Sequence, residues 1–132
     1  MRYRGRSLAL VIVFLPFMSD GQASACSNVE IGRAASPYGK LTAVMFKRDC
    51  GATTSFSTQI SIVAGEEEAS DIGNIFRADT DHGKAQAGHW GGPWAEMKWL
   101  APDRLTIRYA KGARLFEQQK AFEDVVITFE AR

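Results

Sequence analysis

Three groups of side chains in this sequence have the types and spacing to do chemistry. Cys50 lies in the string Arg48-Asp49-Cys50-Gly51-Ala52-Thr53-Thr54, with Ser55, Ser57 and Thr58 just beyond. A thiol among hydroxyls, with His82 and His89 later in the chain, is the raw material of a Cys/His nucleophilic site. A cysteine acts as a nucleophile only as the thiolate, and no local signature of such a site surrounds Cys50. No catalytic residue is assigned.

Asp79, Asp81, His82 and His89 form the second group. Carboxylates and imidazoles ligate divalent metals, and Asp79 and Asp81 fall on one side of an extended chain. Their spacing matches no strong metal motif, and a glycine-rich loop loses much entropy in converging four ligands. The alternative is a solvated loop, and no cofactor is expected. The third group is aromatic. Trp90 and Trp94 flank Gly91-Gly92-Pro93, where they would form a platform for a glycan or a protein. Packing against a small core is the competing role, and Trp99 falls in register with core positions.

The elements that position these residues begin after a leader. Arg2, Arg4 and Arg6 precede an apolar run of 11 residues, Leu8 to Met18, and then Ala23-Ser24-Ala25. This is the pattern of a secretory signal peptide cut after Ala25, and the run falls well short of the roughly 20 residues a membrane-spanning helix needs. Residues 1–25 are therefore expected to be removed, leaving 26–132 as a single domain in the periplasm or cell envelope. Three of the 16 Lys and Arg and one of the 15 Asp and Glu lie in the leader, so the mature chain carries 13 positive and 14 negative side chains, a net charge of −1. No Lys/Arg cluster of the kind that nucleic acid or an anionic membrane requires is present.

Cys26 and Cys50 are the only cysteines, and Cys26 would be the first mature residue. Two fates are open to it. In an exported chain an even pair points to a disulfide, which would stabilise the fold by ~3 kcal/mol in the chain-entropy model. A cysteine directly after a small-residue cleavage site can instead be lipidated, which would put the protein on the membrane. Ala23 stands where lipoprotein signals usually carry leucine, which favours the disulfide.

Along the domain, Val29 and Ile31 mark a short edge strand, and Ser36-Pro37-Tyr38-Gly39 is a turn in which glycine takes positive φ. Leu41 to Arg48 is apolar on both faces, as in a central strand. From Phe56, Thr58, Ile60 and Ile62 alternate with Ser57, Gln59 and Ser61, predicting a strand with one wet face that pairs with its predecessor. A polar acidic loop spans Ala64 to Gly73, and Asn74–Ala78 is a short strand. Thr80 to Pro93 reads as a loop without structure of its own. A hairpin follows, Ala95–Trp99 with Leu105–Tyr109. Leu115 to Asp124 fits either a helical turn or an irregular edge strand, and Val125–Phe129 is the last strand. The expected fold is mostly β: a small antiparallel sheet or curled β-sandwich of six to seven strands.

The run Ser36-Pro37-x-Gly39-Lys40, the Arg-Asp-Cys-Gly-Ala-Thr-Thr string, Ser57-Thr58-Gln59-Ile60-Ser61-Ile62 and Gly73-Asn74-Ile75-Phe76 resemble a family of small exported bacterial proteins of unknown function. Leu105-x-Ile107-x-Tyr109 and Val126-x-x-Phe129-Glu130 extend the likeness over most of the mature chain. Tyr38 stands where the family's turn looks to carry aspartate. The resemblance implies export and a β-rich domain, and it transfers no catalytic residue. The expected role is a non-enzymatic binding or interaction module of the envelope, contacting a protein or glycan through the 79–94 loop and the Thr53, Thr54, Ser57 and Gln59 face. A small metal-dependent enzyme using the 79–89 loop, or a lipoprotein accessory, is the alternative.

Overall fold

The structure, a computed structural model, describes residues 11–13, 26–51 and 56–132. Most of the expected leader, its cleavage site, and Thr53, Thr54 and Ser55 lie outside the described residues. The rest is all-β. Nine strands run in the order β1 (Ser27–Ala35), β2 (Leu41–Asp49), β3 (Ser57–Ala64), β4 (Phe76–Asp79), β5 (Ala95–Ala101), β6 (Arg104–Tyr109), β7 (Arg114–Gln118), β8 (Ala121–Phe122) and β9 (Val125–Ala131). They form a five-stranded sheet, β1-β2-β3-β4-β7, and a four-stranded sheet, β5-β6-β9-β8.

Period-2 alternation explains how the two sheets meet. Ala43, Met45, Ile60, Ile62, Phe76 and Ala78 point inward from the first sheet, against Ala95, Leu105, Ile107, Val125 and Ile127 of the second. Burying each large aliphatic or aromatic side chain contributes about 1.5–3 kcal/mol, so this shared layer is the main driving force for the fold. Trp99 packs against the layer, and its Nε1 donates to the Ala34 carbonyl at 2.8 Å, joining the edge strands of the two sheets.

β2 is buried on both faces as its composition demands, with Val44 and Phe46 each 1% exposed on the side away from the second sheet. The expected wet face of β3 is corrected. Gln59 is 7% exposed and Ser61 is buried, because the acidic segment 65–73 crosses this side of the sheet as a strap. Gln59 Oε1 accepts from the Gly73 N–H at 2.7 Å, and Ser61 Oγ accepts from the Asn74 N–H at 3.0 Å. The alternation is real, but the polar residues bind a strap rather than water.

Two further differences concern topology. The ambiguous stretch after Gly112 is strand: β7 returns to the first sheet beside β4, and β8 opens the second sheet's far edge. Having crossed over, the chain comes back as β9 parallel to β6, the one parallel pairing in the two sheets. The Pro37 turn also differs in detail. Gly39 N–H donates to Ser36 C=O at 2.8 Å, and Tyr38 as well as Gly39 takes positive φ, 69° and 70°. Tyr38 is 91% exposed there, so the unfavourable conformation is not compensated by packing of its ring.

Candidate functional site

Strand register brings the chemistry-bearing residues to one end of the sandwich. Ser27 pairs with Asp49 at the open end of the β1–β2 hairpin, and Cys26 and Cys50, one step further out, are joined by a disulfide. Lys47 pairs with Thr58, and Thr58 with Ala78, so Asp79 and the loop after it project from this same end. With Cys50 oxidised, the thiol that a nucleophilic site would use is consumed.

The segment from Thr80 to Pro93 is not structureless. Ala87 and Pro93 form a β-bridge, Gly88 N–H donates to Gly92 C=O, and Trp94 N–H donates to Gln86 C=O. Its interior anchor is Trp90. The indole Nε1 donates to Thr58 Oγ1 at 2.7 Å, and the same hydroxyl donates to Pro93 C=O at 2.6 Å. Thr58 is fully buried, so one side chain satisfies two polar groups of the loop. Gly92 lets the loop pass this close. A Cβ there would fall 2.5 Å from Thr58 Oγ1 and 2.8 Å from the Ser57 carbonyl carbon.

Outside this anchor, Phe56 is 39% exposed, rests against Gly91 and lies under Lys47, whose Nζ is 4.8 Å from the ring centroid. His89 is exposed and edge-on to Trp90, with ring centroids 5.1 Å apart. Trp90 and Trp94 are both half-buried; Trp90 packs on the core, and no ring contact joins the two. The outward surface is therefore Lys47 over Phe56, Phe56 against Gly91 and His89 against Trp90, rather than a two-tryptophan platform. Lys47 and Phe56 were missed in the sequence because the loop residue they join, Gly91 against Phe56, lies more than 30 residues further along the chain.

The acidic group is dispersed. Asp79, at the end of β4, is 6% exposed, and Arg114 of β7 grips it through Nε and Nη2, with Nε 3.1 and 3.2 Å from the two carboxylate oxygens. Asp79 Oδ1 also accepts from the Asp81 N–H at 2.9 Å. Burial alone would push this carboxyl up. The hydrogen bonds from Arg114 and Asp81 and the charges of Arg114 and His82 outweigh burial and hold it below its ordinary value. Asp81 turns away, pairing with Lys84 at 3.3 Å, and Asp81, His82 and Gly83 all take positive φ. His82 and His89 are exposed. Among the described residues, no three His, Cys, Asp or Glu side chains are grouped to hold a metal ion. Asp79 thus has a structural partner in Arg114, which no short-range motif could reveal.

Of the expected polar contact face, Ser57 is half-buried and Gln59 faces the strap. Compared with family models, with curated proteins and with solved structures, the chain gives no match.

Proposed function

We propose that the chain is exported to the cell envelope and that residues 26–132 act there as a non-enzymatic binding or interaction module. The observation that carries this reading is the 80–94 loop, which is long and irregular yet fixed from inside by Trp90, Thr58 and Pro93. A loop held in one conformation loses little entropy on binding, and loops on rigid scaffolds are where recognition residues concentrate. Its outward side chain His89, with Phe56 and Lys47 beside it, offers an aromatic and cationic contact surface.

The Cys26–Cys50 bond supports export, since disulfides persist in oxidising compartments. It also favours the soluble form, because a sulfur engaged in a disulfide cannot carry a lipid. The partner class is an envelope protein or a glycan.

The test uses purified oxidised protein immobilised against envelope extract and against a panel of cell-wall glycans. Retention of one species by the wild type, lost in Phe56→Ala and His89→Ala and kept in Thr128→Ala on the opposite sheet, is the expected result. Equal retention by all four proteins would remove the loop end as the contact surface. Protease treatment of the extract separates a protein partner from a glycan.

A further inference from the structure

We infer that the Cys26–Cys50 disulfide is a redox latch for the strap 65–73, acting through Asn28. Both ends of the strap are tied to the first sheet independently of the cysteines. At one end Gly65 N–H donates to Lys40 C=O and Thr42 Oγ1 donates to Gly65 C=O; at the other, Gly73 and Asn74 bind Gln59 and Ser61. The middle depends on Asn28. Its amide Nδ2 donates to Ala69 C=O at 2.9 Å and to Asp71 C=O at 2.8 Å, while its Oδ1 accepts from Arg48 Nη1 at 2.7 Å. The other tie is a long one, Arg33 Nη2 to Glu67 C=O at 3.5 Å.

Asn28 pairs with Arg48, two residues inward from each cysteine. It sits on an edge strand whose register is broken by a bulge between Glu30 and Gly32. Beyond the bulge, Ala34 is held by Trp99. Before it, the segment from Ser27 to Glu30 pairs with β2 on one side and is fixed at its end by the disulfide. Edge-strand ends fray at little cost when nothing closes them, so reduction acts on this segment and not on the sandwich. Beneath the strap a groove of about 740 Å³ is floored by Val44 and Phe46, with Asn28, Glu30 and Glu66 among its walls. Lifting the strap's middle uncovers those two apolar side chains.

A dithiol reductant supplies two electrons and two protons, the Sγ–Sγ bond breaks, two thiols form on the protein and the reductant closes to its own disulfide.

The experiment is cleavage after Glu66, Glu67 and Glu68 by a glutamate-specific protease, with near-ultraviolet circular dichroism of the tryptophans reporting on the sandwich. Reduction, and separately Asn28→Ala in the oxidised protein, should each raise the cleavage rate about tenfold, the factor expected for losing one or two hydrogen bonds. The dichroism should stay native, and an apolar dye should bind in both cases. Unchanged cleavage on reduction would overturn the latch. So would loss of the native dichroism together with cleavage, which would make the disulfide a global staple, or an Asn28→Ala protein that cleaves like the oxidised wild type.

Discussion

The indole N–H of Trp90 and the hydroxyl of Thr58 meet at 2.7 Å across 32 residues of sequence, and that bond ties the 80–94 loop to the buried face of β3. Replacing Thr58 by valine keeps the shape and removes the hydroxyl, leaving the Trp90 N–H and the Pro93 carbonyl without their partner. Thr58→Val should lower stability by about 2 kcal/mol in urea denaturation, whereas Thr58→Ser should retain most of it. A valine variant as stable as the wild type would show that the loop is held by other contacts.

Glycine placement makes a paired prediction. Gly92→Ala forces a Cβ against Thr58 Oγ1 and the Ser57 backbone and should cost about 1–3 kcal/mol. Gly32→Ala meets nothing within 4 Å and needs no positive φ, so it should be neutral or stabilise by about 0.5 kcal/mol. Thermal midpoints of the two variants should therefore move in opposite directions or differ clearly. Equal midpoints would contradict the close passage of the loop at Gly92.

Acid should act through Asp79. Its folded-state pKa lies below the ordinary 3.8, so the Arg114 pair contributes its full stability above that value. The contribution falls away as pH drops below 3.8 toward the lowered folded value. At pH 7, Asp79→Ala should destabilise by about 2 kcal/mol, a figure kept modest because Arg114 is partly exposed. Between pH 5 and pH 2.5 the wild type should lose more stability than Asp79→Asn. Parallel pH profiles for the two proteins would show that the pair does not contribute.

Much of this architecture was legible in the chain. The doubly apolar run at Val44 and Phe46 announced a strand covered on both sides, and the Ala95–Trp99 and Leu105–Tyr109 alternation gave a hairpin with the observed inner face. Gln59 and Ser61 misled because alternation reports polarity, and a polar residue facing a strap looks the same in sequence as one facing water. Leu115 to Asp124 was ambiguous for a different reason. β7 is an edge strand in which Phe116 has no partner opposite it, so the period of two is lost there. At the candidate site, the Asp79–Arg114 and Trp90–Thr58 pairings depend on strand topology, which residue types do not encode locally.

Export of the chain and its closure by Cys26 and Cys50 are the two parts of the proposed role. Intact-mass measurement of the protein recovered from the cell envelope tests both parts together. It should give a chain beginning at Cys26 with a mass two hydrogens below that of the reduced form. A chain retaining residues 1–25, free thiols, or an added acyl mass on Cys26 would contradict it.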